Sequence, residues 1–103
     1  MAEATRIRAQ SSGDRTVVRV RMSHEMESGQ RKDSAGKIVP AWYIQEMSAA
    51  LNGRPVFSAQ WGTSVSKDPY LQFVLKGAKA GDRITIQWLD NRGERRSDEA
   101  LVL

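Results

Sequence analysis

The chain has 103 residues, of which 40% are hydrophobic and 27% charged, and its formal net charge is +4. Disordered chains combine few apolar residues with high net charge, so this balance predicts a folded protein, and the length fits one domain over residues 1–103. The absence of cysteine excludes disulfides, thiolate metal sites and a cysteine nucleophile. No run of about 18 apolar residues occurs, so we expect no transmembrane helix in this sequence.

Alternation of apolar and polar residues predicts seven short β-strands. In chain order they span residues 5–10, 15–23, 41–51, 56–61, 70–76, 83–90 and 95–102. Turn residues such as Gly, Asn and Asp separate most of them at a spacing typical of all-β sandwiches. The pattern therefore predicts an all-β sandwich, while the pairing of the strands stays open.

In the third of these segments, residues 41–51, the apolar residues are compatible with either a helix or a strand. Ile44, Met47 and Leu51 follow a helical spacing, whereas the aromatic and β-branched residues at its start favour a strand. The Asn52-Gly53 pair that follows favours a tight hairpin turn, because both positions tolerate a positive φ. We therefore predict a strand that pairs with the next one.

A long polar stretch, residues 24–37, separates the second and third strands, and loops of this length are often functional. It contains His24, the only histidine, close to Glu25, Glu27 and Asp33. One histidine with loop carboxylates is a weak pattern for a metal site or a hydrolytic triad. We therefore predict no catalytic, metal or cofactor residue, and expect His24 to be a solvent-exposed or partner-facing residue.

Arginines alternate along the first two strands. Arg6 and Arg8 share one face of the first strand, and Arg19 and Arg21 share one face of the second. If these strands are neighbours, the four guanidinium groups form a patch that could attract an anion or an acidic protein, although a solvated face is the simpler interpretation. Acids interleave with the bases elsewhere and no aromatic RNA-binding motif occurs, so we do not expect a nucleic-acid partner.

Tryptophan and methionine residues are further candidates for an interface. Trp42, Trp61 and Trp88 suit a sandwich core, but tryptophan is also enriched in the hot spots of protein interfaces. Met22 and Met26 flank the start of the polar stretch and could provide adaptable contacts.

An ordered series of short motifs extends from about Val17 to the C-terminus. The motifs are Met22-Ser-His-Glu-Met-Glu-Ser-Gly29, Arg31-Lys-Asp33, Ile38-Val-Pro-Ala41, Ser58-Ala-Gln-Trp-Gly62, Val65-Ser-Lys-Asp-Pro-Tyr-Leu71, Lys76-Gly-Ala-Lys79 and Asp98-Glu99. No single motif is diagnostic, but their order and spacing resemble the SoxZ family of the sulfur-oxidising Sox system.

The resemblance implies an immunoglobulin-like antiparallel β-sandwich of about seven strands with a non-catalytic role and no cofactor. Members of this family pair with SoxY, which carries sulfur intermediates on a cysteine in its C-terminal arm, and the heterodimer presents them to the other Sox enzymes in transient contacts. No signal peptide is visible here, in agreement with export to the periplasm together with the partner. No membrane or nucleic-acid partner is implied, and the isolated chain could form a homodimer.

The candidate contact residues for SoxY or a visiting enzyme are His24, Met26, Arg31, Lys32, Trp42 and Trp61. Arg31 and Lys32 could screen the negative charge of a sulfur adduct on the partner's cysteine. Two alternatives stay open. One is a stand-alone β-sandwich module that binds an anionic ligand or an acidic protein, and the other is an enzyme built on His24 and the loop carboxylates.

Overall fold

Seven strands form two antiparallel sheets in the computed structural model, which describes residues 3–103. The first sheet has the order β1-β2-β5 and consists of β1 (Arg6–Ser12), β2 (Arg15–Arg21) and β5 (Tyr70–Lys76). The second has the order β4-β3-β6-β7 and consists of β3 (Ile44–Leu51), β4 (Arg54–Gln60), β6 (Arg83–Asp90) and β7 (Arg95–Leu101). The predicted all-β sandwich is confirmed, and β5 and β6 have the predicted bounds.

The core lies between the two sheets and is built from alternate strand positions. On β2, Val18 and Val20 are buried while Arg19 between them is exposed, and on β6 Ile84 and Ile86 are buried. Full burial of such a side chain contributes about 1.5–3 kcal/mol. A slip of one residue would turn all of these side chains to solvent, so the alternation fixes the register of the strands.

The structure of β3 explains why the spacing of its apolar residues is compatible with either a helix or a strand. Its pairing with β6 shifts register between Ile44 and Glu46, which leaves Gln45 as the extra residue of a β-bulge. Because of this bulge, Ile44, Met47 and Leu51 are all buried although their spacing is not that of a regular strand. The helix-like spacing therefore belongs to a bulged strand, and the strand prediction is confirmed.

The polar stretch between β2 and β3 forms an irregular hairpin, which we call the arm (residues 27–42). Isolated β-bridges join Glu27 to Trp42 at its base and Lys32 to Ile38 nearer its tip. At the base, the N–H of Glu27 donates to the carbonyl of Trp42 at 2.6 Å, and the reverse bond measures 3.0 Å. The arm is thus a hydrogen-bonded element and not a free loop.

The arm extends away from the sandwich. Every residue from 31 to 38 is exposed. The molecule measures 54 × 21 × 20 Å and has a radius of gyration of 15.4 Å, whereas a compact domain of this length has a radius of gyration of roughly 13 Å. The described residues 3–103 contain no helix that is long and apolar enough to cross a membrane.

Candidate functional site: the arm and its buried root

His24, at the end of the connection from β2 to the arm, is only 6% exposed. The expectation of a solvent-exposed histidine is therefore wrong. Its Nε2 lies 3.1 Å from Oδ2 of Asp90, which is the last residue of β6 and is 1% exposed. Its Nδ1 accepts the backbone N–H of Met26 at 3.0 Å. Burial is possible because the fold supplies a partner for each ring nitrogen.

These two contacts define the protonation pattern of the His24 ring. The N–H of Met26 can only donate, so Nδ1 must be the unprotonated nitrogen that accepts. Nε2 then carries the hydrogen and donates it to the carboxylate of Asp90. Both ring nitrogens are therefore occupied by buried hydrogen bonds within the fold.

The carboxylate of Asp90 accepts four N–H donors. Oδ2 accepts from His24 and from the indole Nε1 of Trp42, at 3.1 and 2.8 Å. Oδ1 accepts the backbone N–H groups of Arg92 and Glu94, both at 2.9 Å. Burial opposes ionisation, but these hydrogen bonds outweigh it and hold the pKa of Asp90 below its usual range. One buried charge therefore ties together the start of the arm, its return strand and the β6–β7 turn.

Aromatic rings enclose the histidine. The ring centroid of His24 lies 5.1 Å from that of Trp42 and 5.2 Å from that of Trp88, both in edge-to-face geometry. Trp88 is buried, whereas Trp42 is half-buried and carries the guanidinium of Arg92 at 4.2 Å over its ring. We call His24, Trp42, Trp88 and Asp90 the root, and Trp42 connects it to the surface.

Met26 holds the backbone at the base of the arm in a rare conformation. Its φ is +51°, in the left-handed region that residues with a side chain seldom adopt, at a cost of order 1–3 kcal/mol. Its N–H is bound by His24, and its Sδ accepts the N–H of Ile44 at 3.3 Å. Met26 is buried, so it offers little surface to a partner and instead positions the arm.

The two basic candidates on the arm differ in their surroundings. Nε of Arg31 donates to both carboxylate oxygens of Glu27 at 3.0 Å, so its charge is compensated within the arm. Lys32 is exposed and forms no ion pair within residues 3–103. Near the tip, Ile38 leaves 60% of its surface exposed. Lys37 is likewise exposed and has no ion pair within these residues, so the arm presents two uncompensated lysines and, beside them, the exposed side chain of Ile38.

Trp61 lies at the same end of the sandwich as the root. It follows β4 directly, and its N–H donates to the carbonyl of Gln45 at 2.8 Å. Gln45 stands at the start of β3, three positions after Trp42. Both tryptophans are half-buried, so the structure places these two candidate contact residues and the base of the arm at one end of the molecule.

The acids that the sequence places near His24 are engaged elsewhere. Glu25 pairs with Lys67 at 3.6 Å, and Glu27 pairs with Arg31. Asp33 lies at the tip of the arm, where its Oδ1 accepts two backbone N–H groups. In the part of the chain that the structure describes, no three His, Cys, Asp or Glu side chains lie together as a possible metal site.

Sequence reasoning missed the most connected residue of the root. Asp90 lies 66 positions from His24 and 48 from Trp42, so no local pattern links the three. The available signal was an aspartate directly before a predicted tight turn, where its side chain can accept backbone N–H groups of the turn.

Fold and root together define an all-β sandwich protein that carries an exposed arm on a buried polar cluster. The family model described as sulphur oxidation protein SoxZ matches residues 5–101. The chain therefore belongs to the SoxZ family and to the Sox sulfur-oxidation system. The match spans both sheets, the arm and the root. A search of curated proteins returned no match.

Proposed function

We propose that this chain is the non-catalytic subunit of a SoxYZ carrier complex. In this role it binds SoxY, which holds sulfur intermediates on its C-terminal cysteine, and acts in the periplasm after export with that partner. Family membership over residues 5–101 supports the proposal. The chain also contains no cysteine, so a thiol-bound intermediate has to be carried by another subunit.

The arm is the surface that we assign to SoxY, and the observation that carries this assignment is its construction. Residues 31–38 are all exposed, while at the base of the arm His24 accepts the N–H of Met26 and Asp90 accepts the indole N–H of Trp42. An element that is ordered before binding loses less conformational entropy when the complex forms. Trp42 and Arg92 at the base are residue types enriched in interface hot spots.

The ion pairs of the arm bear on the hypothesis that Arg31 and Lys32 screen the negative charge of a sulfur adduct. Glu27 compensates Arg31, whereas Lys32 and Lys37 form no ion pair within residues 3–103. Of these two lysines, we propose that Lys32, which is bridged to the exposed Ile38, faces the anionic sulfur adduct on SoxY. Ile38 would provide the apolar contact beside it, because the two residues are bridged.

The test is to co-express the tagged chain with SoxY and to analyse the purified complex by intact mass and calorimetry. The native chain should retain SoxY in equal amounts, with a sulfur adduct on its cysteine. Replacing Lys32→Ala and Ile38→Ser together should weaken SoxY binding at least about tenfold, equal to about 1.4 kcal/mol.

A matched control carries Lys79→Ala and Leu101→Ser, because Leu101 is 57% exposed against 60% for Ile38. The control should bind SoxY as the native chain does. If the arm variant also binds normally, the arm is not the contact surface. If the native chain does not retain SoxY at all, the proposed function is wrong.

A further inference from the structure

The outward face of the β1-β2-β5 sheet is strongly basic. Its outward positions alternate with the buried ones along each strand, and all the outward ones are exposed except the half-buried Val17. Among these described positions none is Asp or Glu. We call this surface the cationic face; its basic residues are Arg6, Arg8, Arg15, Arg19, Arg21 and Lys76.

The register places these cations directly opposite one another. Arg6 pairs with Arg21 and Arg8 with Arg19, and Arg15 pairs with Lys76 across the other strand boundary. The expected grouping of the four arginines is therefore confirmed. Residues in such positions have Cβ atoms about 4.5–5.5 Å apart, and like charges there destabilise the sheet.

The described part of the chain offers no ion pair to these six side chains. Arg19 donates to the amide oxygen of Gln72 at 3.3 Å, and the guanidinium of Arg21 lies 5.3 Å from the ring centroid of Tyr70. Both partners are neutral, so the charge of the face stays uncompensated. An anionic surface placed on this sheet would relieve the repulsion.

We propose that the cationic face docks an acidic surface patch of a partner protein. Five of its six cations are arginines, whose planar guanidinium bonds carboxylates in a two-pronged geometry. Val17 and Val74 lie opposite each other within the face, and Val74 is 50% exposed. An apolar centre with a charged rim is the composition of a protein interface.

A polyphosphate backbone fits this face less well. Proteins that bind single strands combine basic grooves with aromatic side chains on which bases stack. Tyr70 is the one aromatic residue on the outward positions of these three described strands, and Arg21 lies over its ring. The docking surface lies on the sheet and not on the arm, so it does not rest on the assignment of SoxY to the arm.

The test uses a charge-swapped variant, Arg8→Glu with Arg21→Glu. Each new carboxylate faces an arginine across the strands, so the variant should fold and gain two cross-strand ion pairs. The matched control, Arg54→Glu with Arg95→Glu, makes the same charge change on the other sheet. The probes are labelled polyglutamate peptide, duplex DNA and phosphatidylglycerol vesicles, each measured with the isolated full chain.

Polyglutamate should bind the native chain, and the charge-swapped variant should bind it at least about tenfold more weakly at low salt. The control should stay within about threefold of the native chain, and binding should fall as salt rises because screening shortens the range of the charges. The charge-swapped variant should also melt at a higher temperature than the native chain.

Three results would overturn the proposal. If polyglutamate does not bind, the cationic face has no docking role. If both variants lose affinity for polyglutamate equally, the binding depends only on the net charge of the chain. Tighter binding of DNA or vesicles through the same arginines would assign the face to a different class of partner. None of these results bears on retention of SoxY by the arm, so the two proposals fail separately.

Discussion

Two turns in this molecule have the same local construction. One forms the exposed tip of the arm, and the other is the β6–β7 turn, which begins at Asp90 in the buried root. Asp33 and Asp90 each accept, through Oδ1, the N–H groups of the residues two and four positions later, at 2.9 to 3.0 Å. In each turn the third residue after the aspartate is a glycine with positive φ, +80° for Gly36 and +84° for Gly93.

The two aspartates differ in what surrounds them. Asp33 is exposed, whereas Asp90 is 1% exposed and uses its second oxygen to accept from His24 and Trp42. The comparison shows that local sequence builds the turn and that tertiary context decides its energetic role. At the tip the aspartate only closes a hairpin, while in the root it holds three segments together.

Removal of the two carboxylates should separate these roles most clearly. Asp90→Ala leaves four N–H donors around the buried root without their acceptor, and should lower the free energy of unfolding by several kcal/mol, because each buried donor left unpaired costs about 1–3 kcal/mol. Asp33→Ala, the matched control, should cost at most about 1 kcal/mol because water replaces the exposed carboxylate. Urea unfolding at neutral pH measures both, and equal losses would contradict the assigned roles.

Acid should weaken the root through the carboxylate of Asp90. The pKa of Asp90 is lower in the folded chain than its usual value, so the unfolded chain binds the proton more tightly. The stabilisation is therefore complete above the unfolded pKa of about 3.9 and is lost as pH falls through the lower folded pKa. Asp98, whose pKa is lowered chiefly by its hydrogen bond from Arg96, acts in the same direction.

The measurement is a series of urea unfolding curves from pH 7 to pH 2.5. The free energy of unfolding should decrease below about pH 4. The decrease should become smaller in Asp90→Asn, since that side chain does not titrate. An unchanged pH slope in this variant would show that Asp90 does not carry the acid sensitivity.

A smaller effect should come from the indole N–H of Trp42. Trp42→Phe keeps an aromatic ring but removes the 2.8 Å donor to Asp90, and a hydrogen bond to a charged group contributes about 1.5–3 kcal/mol. Trp61→Phe makes the same change at a half-buried site at the same end of the sandwich. The loss of stability should be larger at Trp42, and equal losses would place the effect in packing alone.

The two turns should differ least in their response to substitution of the glycine that both contain. Gly36→Ala and Gly93→Ala both place a side chain at positive φ, and a new Cβ would meet no atom within 4 Å at either position. Each should therefore cost about 1–2 kcal/mol from the left-handed backbone alone. Thermal unfolding of both variants checks this, and a clearly larger loss at Gly93 would mean that the root also constrains its turn.

The sequence predicts features that depend on neighbours along the chain. Alternation located the strands, and the same period put Arg8 and Arg19 on outward faces that the register then joined. It could not place the bulge at Gln45, because the change of spacing that an extra residue causes in a strand is equally typical of a helix.

The root was beyond local reasoning for a related reason. His24 reads as a polar loop residue, because its burial depends on Asp90 and on rings from Trp42 and Trp88. These partners come from two distant parts of the chain, because Trp42 precedes β3 whereas Trp88 and Asp90 lie on β6. Polar residues in a loop are ordinarily exposed, and only the assembled fold supplies the hydrogen bonds that make burial of His24 favourable.

The exposed arm has a further consequence for the continuity of the chain. Trypsin cleaves after basic residues, and Arg31, Lys32 and Lys37 lie in a segment that contributes nothing to the core. A cut there would separate β1 and β2 from the rest, yet β2 would remain paired with β5 along seven residues. The arm is therefore the place where the polypeptide can be opened while the sandwich stays assembled, and where new termini could be introduced by circular permutation.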